Sequence, residues 1–412
     1  MVRSQNIPNG WAVTLLDSAA ERCSGHTPSK SFSEYWNGGI KWISLADSFR
    51  LDNGYVYETD KEISQLGIDN SSAVIHPKGT VVLSRDAGVG KSGVMAEPMA
   101  VSQHFIAWKC DANKKVHNWF LYNWLQFHKP TFERQAVGST IKTIGLPFFK
   151  KLKIALPPYV EQRKIAQVLS TWDRGIATTE KLINASKQQK KALMQQLLTG
   201  KKRLIDPETG KAFEENWERT HLKSLLIEEK SRNKDNKITR VLSVTNHSGF
   251  VLPEDQFSKR VASENISNYK IVKQGQFGYN PSRLNVGSFA CLNQFSEGVL
   301  SPMYVVFSTN DSKLQRDYLS YWMDSHEAKQ RIKNSTQGSV RESVGFDALC
   351  SFPFILPALN EQQKIASVLI AADKEIKLLE AKLAHLKQEK KALMQQLLTG
   401  KRRVKVAETE VA

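Results

Sequence analysis

The segment Arg85-Asp-Ala-Gly-Val-Gly-Lys-Ser92 ends in the Gly-Lys-Ser that closes phosphate-binding loops, and it follows the strand-like Val81-Val82-Leu83. Such a loop wraps phosphates in backbone N–H groups and needs a glycine five residues before Gly90. That position is Arg85, and Gly93 and Pro98 oppose the helix that should follow, so nucleotide binding is not expected. Asn280-Pro-Ser-Arg283 comes near the Asn-Pro-Pro-aromatic signature with which amino-methyltransferases hold a target base. It lacks the second proline and the aromatic ring, and no glycine-rich turn suited to S-adenosylmethionine precedes it. The nine histidines are isolated, without H-E-x-x-H or His/Cys spacing for a metal. Cys23, Cys110, Cys291 and Cys350 are scattered with no C-x-x-C pair, so neither a disulfide framework nor a zinc ribbon is expected. No catalytic set and no metal site is read from the sequence.

What remains is a group of polar and basic residues in loops beside glycines and aromatics. The first part of the chain offers Arg85, Lys91, Gln103, Ser139 and Lys142; the second offers Asn246, Asn280, Ser282, Arg283, Ser339 and Arg341. These types suit DNA: an Arg fork matches guanine O6/N7, Asn and Gln match adenine N6/N7, and Ser or Lys anchors phosphate. Charge agrees with that partner. The 58 Lys and Arg against 41 Asp and Glu give +17, with both halves basic, 25 against 16 up to residue 200 and 33 against 25 after it. A basic surface gains affinity by neutralising phosphates, so each half is expected to meet a polyanion.

The elements that must carry these loops follow from pattern. At 412 residues the chain is long enough for two or three domains, and 41% hydrophobic with 24% charged residues is a globular composition. The N-terminus has no apolar signal region, no run of about 18 apolar residues occurs, and a cytoplasmic location is expected. Short β-prone segments (Trp42–Ser44, Gly79–Leu83, Phe105–Trp108, Arg240–Thr245, Tyr304–Phe307) are interrupted by helical stretches near Trp119–Gln126 and Gln315–Lys333. Each variable block therefore reads as a mixed α+β domain.

The chain is also duplicated. Aligning Glu161 with Glu361 without a gap to Arg203 and Arg403 gives 25 identities in 43 positions, including Lys-Lys-Ala-Leu-Met-Gln-Gln-Leu-Leu-Thr-Gly-Lys at 190–201 and 390–401. Chance would give roughly two or three. The offset of 200 extends upstream through Gly138-Ser139 and Gly338-Ser339, Ile144-Gly145 and Val344-Gly345, and Leu156-Pro157 and Leu356-Pro357. Further back only pattern survives: Trp11 with Trp217, Gly79–Ser84 with Gly275–Asn280, and Leu121-x-x-Trp124 with Leu319-x-x-Trp322. One block is nearly fixed and the other varies.

The fixed block carries a 4,3 apolar seam, which is the a/d pattern of a coiled coil. In the second copy the seam is Ile365, Leu369, Ala372, Ile376, Leu379, Leu383, Leu386, Leu393 and Leu397, with Lys390 the charged intruder. In the first it is Ile165, Leu169, Trp172, Ile176, Thr179, Ile183, Ser186, Lys190, Leu193 and Leu197. Leu-Pro precedes both helices and Thr-Gly-Lys ends both, so residues 161–198 predict a rod of roughly 57 Å that could pack on its twin. Lys187, Gln188, Lys191 and Gln195 fall on the solvated face.

This architecture resembles the specificity (S) subunit, HsdS, of type I restriction-modification systems. The residues that carry the likeness are Leu156-Pro-Pro-x-x-Glu-Gln-x-Lys-Ile-Ala166 and Leu356-Pro-x-x-x-Glu-Gln-x-Lys-Ile-Ala366, both copies of Ala-Leu-Met-Gln-Gln-Leu-Leu-Thr-Gly-Lys, and the Gly-Ser pairs at 138 and 338. The resemblance implies target-recognition domains at 1–157 and 217–357, conserved helices at 158–200 and 358–400 packed as an antiparallel coiled coil in a pseudo-twofold repeat, a linker at 201–216 and a basic-to-acidic tail at 401–412. It implies a noncatalytic subunit that reads an asymmetric bipartite double-stranded DNA target, one domain per half-site. Two methyltransferase (M) subunits holding S-adenosylmethionine would dock on the helical regions, and restriction (R) subunits using ATP and Mg would join them in phage defence. Little matching sequence precedes Trp11, so the C-terminal helix is expected to close the arrangement. Helix length would set the gap between half-sites, with centres about one turn, roughly 34–36 Å, apart. A coiled-coil scaffold for protein partners, or a specificity subunit of a methylation-only or related defence system, is the alternative.

Overall fold

The computed structural model describes residues 7–111, 114–206, 209–256, 265–336 and 343–405. The chain divides into two compact units, residues 1–180 with 381–412, and residues 181–380. Both units are mixed α/β. The division cuts the two long helices, Tyr159–Leu197 and Leu359–Leu397, near their middles. Each compact unit is thus a variable block, the first half of its own helix and the second half of the other, a grouping that a sequential partition into domains does not express. Both helices have 39 residues, about 58 Å at 1.5 Å per residue. Gly200 and Gly400 lie past their ends at φ 69° and 72°, left-handed backbone that favours glycine.

In unit one, strand β1 (Ala12–Leu15) leads to β2 (Glu21–Ser24), β3 (Trp36–Ile43), β4 (Tyr55–Val56), β5 (Lys61–Ile63), β6 (Val81–Ser84), β7 (Ser92–Met95), β8 (Ala100–Val101), β9 (Phe105–Lys109) and β10 (Lys153–Leu156). The main sheet has the order β2-β9-β6-β7-β4, and β5-β3-β8 forms a second. All four residues of β6 are buried, as its unbroken Val-Val-Leu-Ser run requires of a central strand. β1 pairs antiparallel with β10, Ala12 opposite Leu156, so the block closes on itself where the long helix begins. Leu121 and Trp124 of helix Asn118–Gln135 share one core with Trp108 and Phe149, with Ile165 and Leu169 of the first long helix, with Leu397 at the end of the second and with the adjoining Leu398.

Unit two repeats the plan with shorter strands. These are β11 (Glu218–His221), β12 (Leu226–Glu228), β13 (Ser243–Thr245), β14 (Gly249–Val251), β15 (Lys270–Lys273), β16 (Phe277–Tyr279), β17 (Phe289–Cys291), β18 (Glu297–Leu300), β19 (Val305–Thr309) and β20 (Pro353–Leu356). The sheet order β12-β19-β16-β17 matches β2-β9-β6-β7, and β11 pairs with β20 as β1 does with β10. The helical stretch splits into Arg316–Met323 and His326–Thr336. Leu319 and Trp322 are buried with Ile365 and Leu369 of the second long helix, with Leu197 at the end of the first and with the adjoining Leu198.

Within each unit the two helical segments run antiparallel, since partner numbers rise on one as they fall on the other. In unit one Lys390 meets Asp173 at 2.5 Å and Lys387 meets Glu180 at 2.7 Å. In unit two Lys190 meets Asp373 and Lys187 meets Glu380, both at 2.6 Å. Every seam residue named above is buried or half-buried: Ile183 and Ile376 are buried, and Trp172, Ile176, Leu193, Leu379, Leu383, Leu386 and Leu393 half-buried. Lys187, Gln188, Lys191 and Gln195 are exposed.

Candidate nucleic-acid interface

In unit one the candidate residues gather around the turn that joins β6 to β7. Ala87, Gly88 and Gly90 hold it in left-handed backbone, with φ of 40°, 116° and 86°. Ser92 opens a strand rather than a helix, so the Gly-Lys-Ser segment makes a hairpin turn and not a phosphate-binding loop. Two further segments are tied to this turn. The Arg85 N–H donates to His104 O at 3.0 Å, which brings in the turn bearing Gln103. Ile144 N donates to Arg85 O at 3.0 Å and Ala87 N to Lys142 O at 3.3 Å, which brings in the loop of Ser139 and Lys142.

These side chains differ in how free they are. Gln103, Ser139 and Lys142 are exposed, and Gln103 accepts from the Thr27 hydroxyl at 2.5 Å. Arg85 is half-buried, its Nε 3.5 Å from Asp86 Oδ1. Lys91 turns inward and donates to the carbonyl and hydroxyl oxygens of Ser48 at 3.1 and 3.0 Å, tying down the 3-10 turn Leu45–Phe49. His104, which sequence reading passed over, sits in the same cluster with its Nδ1 2.8 Å from Asp86 Oδ2. An isolated histidine carries no spacing signal, so only the fold could have placed it.

In unit two the equivalent turn, between β16 and β17, is the 3-10 helix Pro281–Val286. Asn280 caps it by accepting from Ser282 N at 3.0 Å and donates to Met303 Sδ at 3.7 Å. Ser282 and Arg283 are exposed. The tip of the β13–β14 hairpin, with Asn246, reaches the same place: a Cβ on Gly287 would stand 3.5 Å from Asn246 Cβ, and Ser288 Oγ donates to Val244 O at 2.8 Å. Four of the six candidates in this half therefore share one surface. Ser339 and Arg341 lie outside the described residues.

The polar residues of the Glu-Gln-x-Lys-Ile-Ala block are a second set of positions whose role geometry reveals. The buried Glu161 takes a two-pronged ion pair from Arg403, with Nε and Nη2 both at 2.7 Å, and the Arg guanidinium is held more basic than usual by that carboxylate. Glu361 takes the same pair from Arg203 at 2.7 and 2.8 Å, plus a hydrogen bond from Trp217 Nε1 at 2.8 Å. Gln162 donates to Lys115 O and Pro157 O, both at 2.9 Å, and accepts from His117 N at 2.8 Å. Gln362 donates to Lys313 O and Pro357 O at 2.9 and 2.8 Å and accepts from Gln315 N at 2.9 Å. The glutamine pins each helix to its variable block, and the glutamate binds an arginine in the segment that follows the other repeat's helix. Their recurrence at an offset of 200 was the signal available in the sequence.

Two units of like topology, each gathering polar loops at the matching turn of its sheet, define a duplicated α/β protein. No group of three or more His, Cys, Asp or Glu among the described residues is placed to hold a metal ion, and no helix among them is long and apolar enough to cross a membrane. Residues 8–188 and 223–388 match the family described as type I restriction modification DNA specificity domain, and the chain belongs to that family. It is 24% identical over 430 aligned residues to the type I restriction enzyme MjaVIII specificity subunit of Methanocaldococcus jannaschii, covering 97% of this chain and 94% of the relative. The putative MjaX specificity subunit of the same organism is 28% identical over 429, covering 97% and 95%. Among solved structures, the S subunit of a type I restriction-modification system from M. genitalium shares the fold with a TM-score of 0.57 at 13% identity, over 99% of each chain.

Proposed function

We propose that this chain is the sequence-specificity subunit of a type I restriction-modification complex, reading a split, asymmetric DNA target with one unit per half-site. The observation that carries the reading is the pairing of a duplicated framework with two dissimilar loop surfaces. Matched clamps (Glu161–Arg403 and Glu361–Arg203) hold variable blocks whose corresponding turns differ in residue type, Arg85 to Lys91 in one and Pro281 to Val286 in the other. Identical readers would imply a palindrome; different ones imply an asymmetric site. Tethering two weak readers makes the second contact effectively intramolecular and multiplies specificity.

In this reading the long helices form an antiparallel coiled coil with a pseudo-twofold repeat, their length sets the gap between half-sites, and their exposed faces receive two methyltransferase subunits. Those subunits would bind S-adenosylmethionine and restriction subunits would use ATP and Mg, so the chain itself is noncatalytic and works in the cytoplasm. A protein scaffold would explain the helices but not the basic balance of both halves. The test is binding of the chain, with its methyltransferase subunits, to target duplex across a salt series. Affinity is expected to fall steeply with salt, and Arg283→Ala to weaken binding by roughly tenfold or more, the worth of one base contact, with assembly intact. Salt-insensitive association, or loss of assembly in Arg283→Ala, would contradict the reading.

A further inference from the structure

The loop that carries Ser139 and Lys142 also presents two aliphatic side chains to solvent: Val137 is 74% exposed and Ile141 57%. The loop is built rigidly around them. Val137 N donates to Thr143 O at 3.0 Å and Thr143 N returns to Val137 O at 2.9 Å, so five residues bulge from a closed pair. Gly138 stands at φ 126°, and a Cβ there would lie 2.2 Å from Ile141 O, so the tight tip needs glycine. The β-bridge between Asp86 and Thr143 fixes the loop against the turn of Arg85. Two exposed aliphatic groups held on a stiff loop beside Lys142, Arg85 and Gln103 have no folding role in unit one, since neither is buried.

The internal repeat separates what the loop needs from what it shows. At an offset of 200, Gly138, Ser139 and Gly145 are matched by the same residues, whereas Val137, Ile141 and Lys142 correspond to Gln337, Arg341 and Glu342, which lie outside the described residues. Gly138, which the tight tip requires, keeps its type. The residues at 137, 141 and 142 change to types that in a DNA groove match adenine, guanine and cytosine. The aliphatic pair completes that set, because the one apolar group displayed in the major groove by an unmodified base is the C5 methyl of thymine.

Building on the specificity reading above, we propose that Ile141, with Val137 beside it, reads a thymine methyl in the half-site of unit one. The contact excludes water from one methyl group, while Lys142 and Ser139 anchor the flanking phosphate. The half-site therefore contains thymine on at least one strand.

The test uses the chain with its methyltransferase subunits and duplexes of the recognised target in which each thymine of that half-site is replaced in turn by uracil, which removes only the methyl. Uracil at one or two positions should weaken binding about fourfold, as loss of one buried methyl group would. Ile141→Ser should bind the thymine duplex about as weakly as wild type binds the uracil duplex, and should no longer distinguish the two bases. Equal wild-type affinity for thymine and uracil everywhere, a half-site without thymine, or an Ile141→Ser complex that still prefers thymine would overturn the assignment. Should that variant fail to assemble, the wild-type comparison decides alone. A complex that binds all duplexes alike would sink the specificity reading itself, whereas a defined target indifferent to the methyl sinks only this inference.

Discussion

The two clamps and the two candidate loop surfaces of this protein are built to opposite rules. Arg403 on Glu161 and Arg203 on Glu361 are matched within 0.1 Å in both prongs, and Gln162 and Gln362 make the same three hydrogen bonds. The loops at the two candidate surfaces share topology and little else. Contacts satisfied inside the molecule admit one solution, because a buried carboxylate or amide left without partners is costly. Contacts made to an outside ligand are free to change with the ligand. Duplication followed by divergence thus leaves a record in the clamps: Glu161, Gln162 and Arg403 recur as Glu361, Gln362 and Arg203, whereas the turns proposed to read the target differ in residue type.

The largest effect expected is on the clamp of unit two. Glu361 is 1% exposed and takes three donors, so Arg203→Ala would strand a buried charge and should cost about 3–5 kcal/mol in a urea melt. Arg403→Ala should cost roughly half as much, because the Arg403 side chain is 42% exposed, against 24% for Arg203, so solvent screens its ion pair more. Equal losses would show that the difference in solvent exposure does not matter, and would break the distinction between the two clamps.

A smaller difference concerns acid. His76, His117 and His128 all lie in unit one, and burial depresses all three, His76 to about 4. Both ring nitrogens of His76 are buried without a partner among the described residues, so the folded state holds it neutral. The unfolded chain takes up the proton first. Stability of unit one is therefore fully present above about pH 6.5 and falls as pH drops towards 4, by about 2 kcal/mol at pH 5 from His76 alone. Thermal melts at pH 7.5 and 5 should show it, and His76→Gln should flatten the dependence. An unchanged slope in that variant would assign the acid sensitivity elsewhere.

Much of this was legible in the sequence because it rests on periodicity. The 4,3 seam gave both long helices to within two residues of their ends, and the β-prone runs at Gly79–Leu83 and Phe105–Trp108 fall on β6 and β9. The pairing of Gly79–Ser84 with Gly275–Asn280 anticipated that β6 and β16 take equivalent places in their sheets. What could not be read was direction. Lys91 looked like a phosphate contact by type, yet its ammonium turns back onto Ser48, and Arg85 is partly shielded beside Asp86. Residue type gives the charge of a side chain but not the turn geometry that aims it. The family resemblance implied antiparallel packing of the two helices, but the clamps that tie each to the other repeat were hidden, since they join residues about 160 to 240 apart, Arg203 to Glu361 and Arg403 to Glu161.

The central claim is that each unit reads its own half of one split target. The most direct measurement is the methylation pattern in cells carrying the complete system, with this chain intact and with the unit-two turn altered by Arg283→Ala. A split, asymmetric methylated motif that requires this chain is expected, and in the variant a relaxed choice of base in one half only. An uninterrupted or palindromic motif, or a relaxation that spreads equally over both halves, would contradict it.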